Sequence, residues 1–312
     1  MNSKNFIWYA LPMMGLLLLM WLYEPWFYQR YIASTNIENI KKKDFKVIGH
    51  KGAAGYAPEN TLASLQVALD MGVDMIEVDV HMTKDGEVVL FHDEDVSRTT
   101  NGTGKIHEMT LAEVKELDAG SWFSPDFAGE KIPTLREAID LVHGKADILI
   151  DIKSKGHEFY ENFPERIVDI IDEKEDNKEW CIVQSYDQEY LEHAYARDST
   201  IQMKKLMMGE DESMLFSFYL NSKSFMTNRN KHHFFETINP HYTTLSQRRI
   251  FRLHARGYKV HTYVVNEPED MVKMLNMAVD GIITDYPDRL VEIRKQIRKI
   301  HSDRKEEEDK ES

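Results

Sequence analysis

KVIGHKGAAGYAPENTLASLQVALDMGVDMIEVDV, from Lys46 to Val80, passes through three patterns in thirty-five residues. KVIGH (Lys46 to His50) is a short β-rich run. TLASLQVALDMG places Leu62, Leu65 and Leu69 at helical spacing, with Gly72 positioned to end the helix. MIEVDV (Met75 to Val80) is β-rich again. Strand, helix and strand in that order are the unit of a parallel sheet, since parallel neighbours need a long crossover.

Further along, EVVLFHD (Glu87 to Asp93) reads as a third strand after a Lys84-Asp85-Gly86 turn, and Thr134 with Glu137 forms a capping box before a helix ending near Gly144. ADILIDIK (Ala146 to Lys153), WCIVQS (Trp180 to Ser185), IQMKKL (Ile201 to Leu206), YKVHTYVV (Tyr258 to Val265) and DGIITD (Asp280 to Asp285) complete eight strands. Most have a periodic helix between them. This alternation favours an α/β fold of the TIM (β/α)8 barrel class, over 45–298, rather than an open doubly wound sheet. His92 to Pro133 and Met207 to Thr243 fit no element; the first is expected to be an insertion after strand three, on the catalytic face.

The two ends differ from this core. FIWYALPMMGLLLLMWLY (Phe6 to Tyr23) is eighteen residues without a charge, with Trp8, Tyr9, Trp21, Tyr23 and Trp26 towards its ends. That is nearly the length of a membrane-spanning helix with interfacial aromatics. No small-x-small cleavage site follows it, so 1–28 is expected to be a retained single-pass anchor rather than a signal peptide, and 29–44 a polar linker. Lys4 lies before the span, and Arg30 and Lys41 to Lys43 after it, which leaves the side of the membrane open. At the other end, 299–312, with DRKEEEDKES, is expected to be an acidic, solvated or disordered tail.

Composition removes several classes. With 39 Lys+Arg against 53 Asp+Glu the formal charge is −14, too acidic for a general nucleic-acid binder. The single cysteine, Cys181, excludes an intrachain disulfide and a cysteine-rich zinc site. The chain has neither a glycine-rich dinucleotide fingerprint nor a phosphate-loop lysine motif.

In a barrel the chemistry sits where strands end, so polar strand-end residues mark the site. Strand one ends at His50, strand two carries Glu77 and Asp79, strand three ends at His92-Asp93, and strand four carries Asp151 and Lys153. Residues two apart on a strand share a face, so Glu77 pairs with Asp79 and Asp151 with Lys153. Carboxylates facing a barrel interior are costly unless a cation lies among them. Oxygen-only ligands select a hard ion, Mg2+ or Ca2+, over zinc. The bland alternative is an edge strand with ordinary salt bridges, but two histidines and a lysine in register argue against it. His50 and His92 have the ordinary imidazole pKa that suits general acid and base work. With a metal cluster they point to transfer at phosphorus. Lys153 is then a point charge for a phosphate oxygen, or else a buried partner of Asp151.

The chain here resembles the glycerophosphodiester phosphodiesterases, from about Phe45 to Arg289. HKGAAGYAPENTLASL (His50 to Leu65) resembles that family's opening motifs, and IEVDVHMTKDGEVVLFHD (Ile76 to Asp93) its metal and second-histidine block. SRTTNGTG (Ser97 to Gly104), PTLREAI (Pro133 to Ile139), VQSYD (Val183 to Asp187) and DGIITDYP (Asp280 to Pro287) follow in the family's order. The resemblance implies a barrel that hydrolyses glycerophosphodiesters to glycerol 3-phosphate and an alcohol. It places His50 and His92 in the catalytic roles, one divalent cation on Glu77, Asp79 and Asp151, and Lys51 and Lys153 at the phosphate. Glu59 becomes a residue that orients them. Lys51 stands where the family usually has Arg, Asp151 where Glu is usual, and Tyr263 replaces a usual Trp on the substrate wall.

Two other readings stay open. One is a lysophospholipase D or sphingomyelinase D-like activity on membrane lipids, with MLFSFYL (Met214 to Leu220) and FMTN with HHFF (Phe225 to Phe235) as candidates for an apolar mouth. The other is a tethered binding module without turnover, disfavoured by the complete His50, Glu77, Asp79 and His92 set. The expected partners are a small or lipid-derived phosphodiester and a membrane, with no nucleic acid.

Overall fold

The computed structural model describes residues 37, 40, 44–153, 160–207 and 235–311. The strands are β1 (Lys46–Gly49), β2 (Met75–Met82), β3 (Val88–Leu90), β4 (Asp147–Ile152), β5 (Cys181–Ser185), β6 (Gln202–Met207), β7 (Thr237–Pro240), β8 (Lys259–Thr262) and β9 (Gly281–Thr284). Apart from β3 they are parallel, in the order β1-β9-β8-β7-β6-β5-β4-β2, and pairing of β1 with β2 closes the ring. The helices are α1 (Leu62–Asp70), α2 (Leu111–Glu116), α3 (Leu135–Val142), α4 (Phe163–Ile171), α5 (Asn177–Trp180), α6 (Gln188–Arg197), α7 (Gln247–His254), α8 (Pro268–Asn276) and α9 (Pro287–Glu311).

The barrel of eight parallel strands matches expectation, but two of its strands do not. EVVLFHD is no barrel strand: β3 folds back antiparallel on β2, pairing Val80 with Leu90 and Met82 with Val88. The five-residue connection between them is too short for a parallel crossover. In its place β7, inside a stretch that read as unassignable, supplies the missing strand. The two errors cancelled in the count. The tail, expected to be solvated or disordered, is solvated but helical, since α9 continues to Glu311. Residues 302–310 are exposed but helical: the stretch has no Gly or Pro, and Arg304–Glu308, Lys305–Asp309 and Glu306–Lys310 pair opposite charges at i and i+4.

Both faces of the parallel sheet are covered, so aliphatic side chains lie on the inward and the outward face of its strands, interrupted inside by the buried polar residues that line the barrel's two ends. Inside the barrel Ile48, Met75, Leu149, Ile182 and Ile283 form one cluster. Outside, Val47, Ile76, Val78, Ile148, Ile150, Val183 and Ile282 pack against the helices. Each such side chain contributes about 1.5–3 kcal/mol on burial. The expected capping box is present at α3: Thr134 Oγ1 accepts from Glu137 N at 3.2 Å and Glu137 Oε2 accepts from Thr134 N at 2.7 Å. The insertion between β3 and α3 carries a separate small core of Val89, Phe91, Val96, Ile106, Val114, Ala119 and Ile132.

Among the described residues no helix is long and apolar enough to cross a membrane. The expected anchor (Phe6 to Tyr23), most of the linker, and MLFSFYL with nearly all of the stretch to Phe235 lie outside the described residues.

Candidate active site

Barrel closure brings the carboxyl ends of β1, β2, β4 and β9 to one rim. Glu77 and Asp79 point inward from β2 and Asp151 from the neighbouring β4, where Asp79 and Asp151 are register partners. The three are 4%, 1% and 2% exposed. One ligand oxygen from each lies within 4.8 Å of the others. Three buried carboxylates at that spacing repel unless cations intervene, and an all-oxygen donor set fits a hard divalent ion.

The protein supplies part of that positive charge itself. Lys153 Nζ lies 2.8 Å from Asp79 Oδ1 and also contacts Asp151 Oδ2. Lys51 Nζ is 3.8 Å from Asp79 Oδ2 and 3.0 Å from Glu59 Oε1. Here Lys153 forms the buried ion pair that was its alternative reading. The charges sort the acids. Burial opposes ionisation of Asp79, but Lys153, Lys51 and the two histidines overcome it and hold its carboxyl well below the ordinary range. At Glu77, burial and the neighbouring Asp79 push the carboxyl up to about 8. Asp151 is also raised, chiefly by burial. Lys153, although burial works against its charge, is held well above the ordinary lysine value by Asp151, Asp79 and Glu77.

The loop after β1 aims these groups through strain. Lys51 and Asn60 occupy the left-handed region, at φ 51° and 57°, which is costly for residues with a side chain. The backbone of Lys51 is pinned on both sides, its N–H donating to Glu77 Oε2 at 3.0 Å and its carbonyl accepting from Ser64 Oγ at 2.8 Å. Gly52, at φ 89°, lies so close to α1 that a Cβ would stand 2.6 Å from the Ser64 carbonyl carbon. Asn60 then grips Asp79 twice, donating from Nδ2 to Oδ2 at 2.8 Å and accepting from the Asp79 N–H at 3.0 Å.

Both histidines are oriented by carboxylates. His50 Nδ1 lies 2.6 Å from Asp285 Oδ1, and Nε2 lies 4.0 Å from Glu77 Oε2. Burial alone lowers the His50 pKa, but the Asp285 hydrogen bond and the charges of Glu77 and Asp285 outweigh it, so the net shift is upward. Asn266 steadies Asp285, donating to Oδ2 at 2.6 Å and accepting from its N–H at 2.9 Å. His92 Nδ1 lies 2.6 Å from Asp93 Oδ1. Arg98 joins the two halves of the rim: Nε contacts Asp93, and Nη1 and Nη2 hold Glu59 at 3.0 and 2.7 Å. His81, beneath, places Nε2 3.1 Å from the His92 carbonyl and Nδ1 3.2 Å from the Tyr160 hydroxyl.

The structure therefore brings His50, Lys51, Glu59, Glu77, Asp79, His92, Asp151 and Lys153 into one network. Tyr263 lies past the end of β8; its hydroxyl donates to the Met207 carbonyl at 2.7 Å and its ring meets His241 edge-on. Sequence reasoning gave no role to Asn60, His81, Arg98, Asn266 or Asp285. Four of them, Asn60, His81, Arg98 and Asp285, lay inside the motifs already quoted.

Comparison with known proteins agrees with this geometry. Residues 50–289 match the model of the glycerophosphoryl diester phosphodiesterase family. A glycerophosphodiester phosphodiesterase of Caldanaerobacter subterraneus subsp. tengcongensis is 37% identical over 79% of this chain and 96% of its own length. A human lysophospholipase D is 28% identical over 82% of this chain and 88% of its own. An Oleispira antarctica phosphodiesterase, solved in complex with the product sn-glycerol-3-phosphate, superposes with TM-score 0.68 and 29% identity over 80% of this chain and 96% of that one. With a matched segment that includes every carboxylate, histidine and lysine named at the rim, the chain belongs to the glycerophosphoryl diester phosphodiesterase family.

Proposed function

We propose that the chain hydrolyses glycerophosphodiesters to glycerol 3-phosphate and an alcohol, with one divalent cation, Mg2+ or Ca2+, held by Glu77, Asp79 and Asp151. The observation that carries this reading is a buried carboxylate trio beside two histidines, each held at Nδ1 by its own aspartate at 2.6 Å. The cation, when bound, supplies positive charge for the phosphate oxygens. Lys51 and Lys153 add point charges on the same side. With Nδ1 committed to Asp285 and Asp93, each imidazole has Nε2 left for proton transfer. His50, whose pKa is raised, is suited to carry a proton near neutrality and give it to the leaving alkoxide; His92 takes the proton of the attacking oxygen.

The test is release of glycerol 3-phosphate from glycerophosphocholine with and without divalent ion. Turnover should need the ion. His50→Ala and His92→Ala should each lower kcat by about 10^2 to 10^4-fold while still binding metal. Release that survives complete chelation would overturn the reading.

A second substrate class is supported by the similarity to the human lysophospholipase D and by three exposed aromatics, Tyr56, Trp122 and Tyr186. Assay of lysophospholipids beside glycerophosphodiesters separates the two. Membrane attachment through Phe6 to Tyr23 belongs to the same proposal; its support is the uncharged length of that segment. The full chain should stay with membranes through carbonate extraction, and its release into the supernatant would refute attachment.

A further inference from the structure

At the opposite end of the barrel, under the strand starts, lies a cavity of about 850 Å3. That is the size of a small-molecule site rather than a packing defect. Barrel interiors are normally closed by layers of branched aliphatic side chains. Here Lys204, Thr237 and His261 join Met75 and Ile182 in the lining. Lys204 is 5% and His261 4% exposed. Gly281 makes room for the ring: a Cβ there would stand 2.8 Å from His261 Cδ2.

Lys204 lacks what a buried ammonium needs. Its Nζ touches Met75 Sδ at 3.1 Å and His261 Nδ1 at 3.3 Å, and among the described residues it pairs with no carboxylate. Two basic nitrogens at that distance are satisfied when one offers a lone pair to the other, and repel when both are protonated. The charges that act on Lys204 are Asp147 at the start of β4, Lys46 at the start of β1 and Lys259 at the start of β8, with Lys46 3.5 Å from Asp147; Asp44, Asp74, Glu236, Asp280, Arg294 and Arg298 also line the cavity. Burial chiefly, with Lys46 and Lys259 adding to it against Asp147, brings Lys204 down to about 7. An amine that is about half free base at neutral pH is a nucleophile.

We propose that this cavity is a second ligand site, in which the Lys204 amine takes an aldehyde or ketone as an imine and His261 moves the proton. The amine nitrogen attacks the carbonyl carbon, forming the C–N bond, and the carbonyl oxygen gains a proton to give a carbinolamine. His261 protonates the departing hydroxyl, water leaves, and the nitrogen gives up its remaining proton. One water is released, nothing is oxidised, and the step reverses by hydrolysis.

The experiment treats the full chain at pH 7 with benzaldehyde and cyanoborohydride and maps the alkylated lysines by mass spectrometry. An ordinary lysine, with pKa about 10.4, is roughly 0.04% free base at that pH, so even with a weaker nucleophile Lys204 should label at least about tenfold faster than the exposed Lys84. The rate should level off with benzaldehyde concentration, as binding before reaction requires. His261→Gln should slow labelling about tenfold, Lys204→Arg should remove the mapped site, and diester turnover should persist in both. If either variant fails to fold, the Lys204 to Lys84 ratio and the saturation in the parent protein still decide. Labelling of Lys204 no faster than Lys84, a rate that rises linearly without saturating, or binding of inorganic phosphate in the cavity without imine formation would each overturn the proposal.

Discussion

His81 makes a pH-dependent contribution to stability that can be worked out from its surroundings. It is 1% exposed, and its two ring nitrogens face one acceptor, the His92 carbonyl, and one hydroxyl, on Tyr160. A neutral imidazole, with one donor and one acceptor, satisfies both. Burial disfavours the charged ring and lowers its pKa from 6.5 to about 4. The unfolded chain therefore binds a proton that the folded protein refuses. The resulting stability is fully present above about pH 6.5 and is lost as the pH falls towards 4. Two and a half pKa units correspond to about 3 kcal/mol in all, and linkage puts about 2 kcal/mol of the loss between pH 7 and 5. The assay is urea unfolding of the parent protein and His81→Gln at those two pH values. Carboxylates that titrate in this range are common to both proteins and cancel, so the parent should lose about 2 kcal/mol more than the variant. Equal losses, with unchanged urea slopes, would show that His81 is not held neutral and would refute the argument.

Three further outcomes follow from the rim. Arg98→Ala should lower kcat by about 10- to 100-fold at saturating metal, and Arg98→Lys should recover only part of it, because an ammonium cannot reproduce the guanidinium fork on Glu59; steady-state kinetics would check this. Asp285→Asn removes one of the interactions that raise the His50 pKa, so the alkaline limb of the kcat–pH profile should move to lower pH, and an unmoved limb would take His50 out of the acid role. Metal binding near pH 7 should release protons, since the Glu77 carboxyl stands at about 8 without the ion; calorimetry in two buffers of different ionisation enthalpy would measure them, and Glu77→Ala should abolish both the protons and tight binding.

The pairing of Glu77 with Asp79 was legible because period two along a strand is strict: once MIEVDV is a strand, the two must share a face. The direction of β3 is encoded as well, in the Lys84-Asp85-Gly86 turn, which favours a hairpin, whereas the aliphatic run alone looks the same in a hairpin and in a barrel strand. β7 was harder, since Thr-Ile-Asn-Pro is four residues long and ends in a proline and so looks like a turn. Asn60, Asn266 and Arg98 act through partners 19 or more residues away in sequence, or in Arg98's case through Glu59, 39 residues back. Nothing in local spacing reports such a contact; only the closed barrel makes it.

The small separate core under the insertion has a consequence for how this enzyme can change. Asp93 and Arg98 ride on a segment in which Phe91, Val96, Ile106, Val114, Ala119 and Ile132 pack with one another and with Val89, in a cluster separate from the main core. Substitutions inside it should combine additively with those in the barrel, because the two sets share few neighbours. It should also open to hydrogen exchange as a unit of its own, at lower free energy than the strands. The segment is thus a cassette that can be remodelled or lengthened away from the rim, provided His92, Asp93 and Arg98 keep their places, because those three tie it to Glu59 and to the strand that carries Asp79.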